Sequence, residues 1–227
     1  MDNTFVDALV QDSEFLVDSR EDSRLLFARF SDSGDLNITV HVRKNSHVEI
    51  AFADFALGTS NMEFHILLEE EGASASFHGA FFASGNDKKS VSADCIHLAP
   101  HTTGLVENYG IVQDAAKLFF LGKSDIRSGS FSSSTRQSAK IIVFDEGCVA
   151  KASPVLCIDE NDVTASHAAV VGKLNEEHLY YLLSRGLSLK EARHLISVGY
   201  LKPIAQYFDM DLKAKIEAAI EGDIAHD

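Results

Sequence analysis

Between Ser23 and Val171 the chain repeats one pattern: a short run with every second residue apolar, a turn of small residues, then another run. Leu36, Ile38, Val40 and Val42 alternate with Asn37, Thr39 and His41. Val48, Ile50 and Phe52 alternate with Glu49 and Ala51, and Met62, Phe64, Ile66 and Leu68 with Glu63, His65 and Leu67. Ala73, Ala75 and Phe77 alternate with Ser74, Ser76 and His78. Successive side chains of a strand point to opposite faces, so this period gives one buried face and one wetter face. Turn formers fill the gaps, as in RKNSH, EEEGAS, ASGNDKK and FDEGCVA. Proline stands only at 100, 154 and 203, so few runs are interrupted. No helical period persists here, and the region is predicted to be mainly β. A sandwich, a barrel and a β-solenoid all satisfy the pattern. The loose recurrence every 10–14 residues or so and the polar run SGSFSSST at 128–135 suit stacked coils.

At Leu174 the period changes to that of a helix. Asn175 is placed to cap a helix that carries Glu176 and Glu177 in its first turn and Leu179, Tyr180, Leu182 and Leu183 as an apolar stripe. Arg185 and Gly186 close it. Ser188 and Glu191 form a capping box for a second helix, with Ala192, Leu195, Ile196 and Val198 on its apolar side. A third helix is expected over about Asp211 to Glu221. Residues 1–22 read as a short acidic arm in which FVDALV and FLVD each allow a helical turn or two. The expected organisation is therefore arm 1–22, β body 23–172 and helical segment 173–227. Three short helices cannot bury three apolar faces on one another, so the segment must pack on the body, on a partner, or on both.

Charge and length exclude several classes. The 227 residues carry a formal net charge of −14 with no basic cluster, which disfavours nucleic acid. No apolar run approaches the roughly 20 residues of a membrane-spanning helix. The opening MDNTFVDALVQDSEF is acidic where a signal peptide is basic, so a cytoplasmic location is expected. Cys95, Cys148 and Cys157 are odd in number and widely spaced, which indicates neither a disulfide framework nor a closed zinc site. The spacing of Cys95, His97 and His101 is permissive for a metal but is not diagnostic. Acidic residues scattered at turns do not form the paired carboxylates of a polysaccharide-cleaving β-helix. No P-loop pattern is present.

The stretch ASPVLCIDENDVTASHAAVVGKLNEEHLYYLLSRGLSLKEARHLISVGY resembles the C-terminal part of the SufB/SufD family of iron–sulfur cluster assembly proteins. The shared features are Pro154, the DVxxSH segment (Asp162, Val163, Ser166, His167), Gly172, Glu176–Glu177 and YYLLSRGLS. Upstream, an H-x-A-P-x-T segment and the series Val112, Asp114, Ala116, Phe120 and Gly122 are also similar to the family. The resemblance covers roughly residues 75–200 and implies a right-handed parallel β-helix with a small C-terminal helical tail. It implies a non-enzymatic scaffold role in SUF-type assembly, with a SufC-like ABC ATPase and a SufB-like subunit, or a second copy, as partners. The alternative is a homo-oligomeric β-helix with no direct role in cluster assembly.

The SufD-like members tend to carry cysteine two residues before the histidine, where this chain has Ala165. The SufB-like members tend to carry glutamate after it, where this chain has Ala168. His167 and Cys148 are the candidate cluster ligands, stacked near each other if 19 residues amount to one or two coils. No cluster is expected to be held stably; a transient one at a subunit interface is the expectation. Leu179, Tyr180, Leu183, Arg185 and Leu195 are the candidate ATPase-binding residues. The tail is expected to cover the open end of the β-helix with one side and to bind the ATPase with the other.

Overall fold

In the computed structural model the described residues are 2–6, 12–31 and 34–223, apart from the side chains of 222 and 223. Thirteen strands come first: β1 (Asp2–Val6), β2 (Asp12–Val17), β3 (Asp22–Arg29), β4 (Leu36–Val42), β5 (His47–Asp54), β6 (Thr59–Leu68), β7 (Ser74–Ala83), β8 (Lys88–His97), β9 (Thr103–Val112), β10 (Lys117–Ile126), β11 (Ser133–Val143), β12 (Val149–Ile158) and β13 (Val163–Lys173). Odd-numbered strands form a seven-stranded sheet in the order β1-β3-β5-β7-β9-β11-β13, and even-numbered strands a six-stranded sheet in the order β2 to β12. Every pairing is parallel. A chain that alternates between two sheets and always advances to the next parallel neighbour is winding, so the body is a β-solenoid of about six turns.

Register turns the period-two pattern into interior columns. Leu25, Ile50, Phe77, Val106, Gln137 and His167 are successive partners across the seven-stranded sheet, so their side chains share one face. The first four are buried and apolar. Phe27, Phe52, Phe64, Phe77, Phe81 and Phe120 pack edge-on or tilted down the axis, the arrangement aromatic rings prefer.

The corners repeat in geometry, not in residue type. Arg20, Asn45, Gly72, His101 and Ser132 all have positive φ and are 25, 27, 29 and 31 residues apart. Each donates its N–H to a carbonyl of the next coil: Lys44, Glu71, Pro100, Phe131 and Asp162 in turn. Coil length therefore grows along the axis, and the strands lengthen with it, from 8 and 7 residues in β3 and β4 to 10 and 11 in β12 and β13.

The tail comprises α1 (Glu176–Ser184), α2 (Leu189–Leu201), a 3-10 turn (Lys202–Tyr207) and α3 (Met210–Asp223). The Asn175 side chain accepts from the N–H groups of Glu177 and His178, and Ser188 with Glu191 completes the capping box. The tail does not cover the open end of the solenoid as expected. It lies along the outer face of the seven-stranded sheet, where Leu201, Ile204, Phe208, Leu212, Ile216 and Ile220 fill a trough floored by Ala28, Ala51, Ala53 and Ala80. The reason is in the strands. LLFA in β3, IAFAD in β5 and GAFFA in β7 are buried on both faces, so this sheet needs a second cover.

The first residues also differ from expectation. β1 and β2 pair with β3 and β4 and begin the solenoid, so Phe15, Leu16 and Val17 are extended and FLVD forms no helical turn. Residues 7–10 of FVDALV lie outside the described residues; Phe5 and Val6 are strand.

Candidate functional site

The terminal coil is where chemistry and contact are most accessible. β12 and β13 end their sheets, so each has one edge with no neighbouring strand among the described residues. Val149, Val155, Ile158, Val170 and Val171 are exposed along them. Unpaired edges with apolar side chains are surfaces that other strands join.

His167 stands on this coil, exposed, where the interior column emerges. Cys148 immediately precedes β12, at the opposite end of the coil from the 159–162 turn that leads into β13. Six strand residues at ~3.3 Å each put the two about 20 Å apart along the strand direction. The structure therefore does not bring Cys148 to His167; the coil returns the chain past the histidine on the wrong side. Cys148 instead packs into the corner, its thiol 3.6 Å from the Asp114 carbonyl oxygen. Burial pushes that thiol above its ordinary value, with Asp145 and Asp114 nearby, so it is a poor source of thiolate. Cys157 is partnered with Asp125 on β10, away from both.

Cys95 and His97 lie in the interior, with Cys95 Sγ 3.8 Å from His97 Nε2. His97 Nδ1 is 2.8 Å from Thr102 Oγ1, which in turn meets Ser133 Oγ at 2.8 Å. Burial pushes the thiol up to about 12 and the imidazole down to about 4, so both are neutral and chemically quiet. Gly104 makes room for them: a Cβ there would sit 2.5 Å from Cys95 Sγ. His101 is elsewhere, at a left-handed corner with its ring edge-on to Phe131 at 5.4 Å. Cys95, His97 and His101 thus form no common site. Among the described residues no group of three His, Cys, Asp or Glu side chains is placed to hold a metal ion.

The second feature is α1. It has no buried residue, yet it carries Leu179, Tyr180, Tyr181, Leu182 and Leu183. Tyr180 is 75 % exposed, and Tyr181, Leu183, Leu189 and Leu195 are exposed around it. Arg185 lies over the Tyr181 ring at 5.1 Å, in cation–π range. α2 is held to the solenoid by Arg193, which donates to the Phe144 carbonyl and to Asp145 at 2.8 Å. Between α1, α2 and the outer side of β11 and β13 runs a groove of about 470 Å³, lined in part by Ile142, Val170, His178, Ile196 and Tyr200. The candidate residues Leu179, Tyr180, Leu183, Arg185 and Leu195 thus lie in one region of α1 and α2, with Tyr180, Leu183, Arg185 and Leu195 exposed and Leu179 half-buried.

Sequence reasoning did not single out Gln137. Its Nε2 donates to Ser124 Oγ at 2.7 Å and to the Val155 carbonyl at 3.1 Å, tying β11 to β10 and β12 of the facing sheet. A glutamine at an apolar-column position is the signal that was available. Charge also divides along the axis: residues 1–116 hold 19 acidic and 7 basic side chains, residues 117–173 hold 6 and 7. The terminal coils are thus near neutrality while the opposite end is strongly negative.

The class these features define is a parallel β-solenoid with an open, nearly neutral terminal coil and an exposed apolar helix beside it. Residues 35–200 match the family model of the SUF system FeS cluster assembly, SufBD core domain, and the chain belongs to that family. It is 32 % identical over 138 residues to the iron–sulfur cluster assembly protein SufD of Bacillus subtilis, covering 60 % of this chain and 32 % of that protein. It is 28 % identical over 140 residues to a SufBD family protein of Mycobacterium tuberculosis, covering 62 % and 16 %. To a SufBD family protein of Staphylococcus epidermidis it is 25 % identical over 182 residues, covering 79 % and 39 %. The matched segment spans well under half the length of each of these relatives. No helix among the described residues is long and apolar enough to cross a membrane.

Proposed function

We propose that this chain is a non-enzymatic scaffold subunit of SUF-type iron–sulfur cluster assembly. It joins a SufB-like subunit, or a second copy, through the free edges of β12 and β13, and it holds a SufC-like ABC ATPase on α1 and α2. The observation that carries the docking face is α1 itself, a helix with two tyrosines and three leucines and no buried residue. Exposed apolar patches of this kind mark contact surfaces, and aromatic residues flanked by Arg and Leu are common anchors of protein interfaces. The charge division supports the pairing face, because terminal coils near neutrality approach each other without the repulsion that the acidic ends would meet.

The cluster is cargo in this reading. Its thiolate ligands come from the partner, and His167 supplies one neutral ring nitrogen at the junction. Ala165 and Cys148 contribute nothing there, the first for want of a thiol and the second by position.

Capture of the ATPase by wild-type chain and by Leu183→Asp tests the docking face: the variant should lose the ATPase while keeping its melting temperature, and equal capture would exclude α1. Anaerobic reconstitution with iron and sulfide in the presence of the partner tests His167. Wild type and His167→Ala should differ in their cluster absorption, and identical spectra would remove the histidine from the mechanism.

A further inference from the structure

We propose that the solenoid interior contains, one rung behind its open end, a binding site for a single water-sized, neutral hydrogen-bond donor, with the Gln137 carbonyl oxygen as its principal acceptor. Gln137 is 3 % exposed, and its carboxamide cannot turn freely, because Nε2 is held by Ser124 and by the Val155 carbonyl. That anchorage fixes Oε1, which is buried and has no hydrogen-bond partner among the described residues. The Asn108 carbonyl oxygen is in the same condition, and Asn108 is also 3 % exposed. Buried acceptors are almost always satisfied, so two in one neighbourhood point to a donor.

Both side chains line a cavity of about 10 Å³ whose other walls include Phe120, Gly122, Pro154 and Ala168. That volume is near the lower bound of roughly 10–15 Å³ for one water. Glycine accompanies the Gln137 carboxamide: a Cβ on Gly122 would stand 2.9 Å from Gln137 Oε1. The space is kept open by residue choice on β10. No charged side chain lines the cavity, so a cation would find carbonyl oxygens but no countercharge, which selects a neutral donor. Pro154 and Ala168 belong to the terminal strands, so the route to solvent is short.

A crystal structure of the full chain at a resolution that shows ordered water tests the site. The expected result is one peak at hydrogen-bonding distance from Gln137 Oε1, present in wild type and lost in Gly122→Ala, whose methyl group enters the cavity. Crystals grown in rubidium chloride separate the classes: an anomalous peak at this position would overturn the neutral donor. A collapsed cavity with no peak in wild type would overturn the site. Should Gly122→Ala not fold, Asn108→Leu decides in solution. A satisfied oxygen makes this nearly isosteric change lower the melting temperature, whereas a rise would show that the oxygen had no donor to lose.

Discussion

His78 shows how one residue joins the two parts of the molecule. Its imidazole stacks on Tyr207 of the tail at 4.5 Å and lies 3.3 Å from Glu107 and 3.6 Å from Glu49. His47 on the neighbouring β5 also faces it, and Arg24 on β3 pairs with Glu49 at 4.0 Å and donates to the Tyr207 carbonyl. Burial lowers the imidazole value and outweighs the two carboxylates that raise it. A histidine that binds its proton more weakly when folded favours unfolding as protons are added, since the unfolded chain takes them up first. Its contribution is therefore complete above the ordinary value near ~6.5 and is lost as pH falls toward the folded value. Melting temperature measured from pH 7.5 to 5 should fall more steeply for wild type than for His78→Phe, which keeps the stacking and cannot titrate. Lys89 and Asp54 give a second case, an ion pair at 3.3 Å with neither side chain exposed. Lys89→Met leaves a buried carboxylate without a countercharge and should cost ~3–5 kcal/mol by chemical denaturation, while the double change with Asp54→Leu recovers most of it. His167 was legible because it stands in a recognisable segment. Gln137 and Lys89 were not, because a period-two pattern shows which face a residue takes but not that a polar residue on the inner face is matched by another on the facing sheet.

At the scale of elements, the strands were legible and the corners were not. Alternation located the inward faces, and the capping residues Asn175 and Ser188 announced the two helices they cap. The corner motif escaped because Arg20, Asn45, Gly72, His101 and Ser132 share only a backbone conformation. Left-handed φ costs a side-chain-bearing residue ~1–2 kcal/mol, and glycine's greater freedom when unfolded gives back about half of that. Arg20→Gly should thus raise stability by about 0.5–1 kcal/mol in urea unfolding, since the N–H bond to Lys44 is retained. The tail divides in the same experiment. Leu183→Asp on α1 should change stability by no more than ~0.5 kcal/mol, whereas Asp in place of the fully buried Ile216 of α3 (Ile216→Asp) should prevent cooperative folding. The doubly apolar strands β3, β5 and β7 held the information that the tail lies along a face. Reading those runs as one-sided strands left the open end as the apparent resting place.

For the whole molecule, the lengthening of the coils limits what can be built from it. Successive corners are 25, 27, 29 and 31 residues apart, so the coils widen toward β12 and β13. A narrower coil stacked against a wider one leaves part of the wider rim without backbone partners. The widening is therefore expected to disfavour the filament that a solenoid of constant girth would propagate. Sedimentation velocity over a hundredfold range of concentration should show at most one association step and no growing series of larger species.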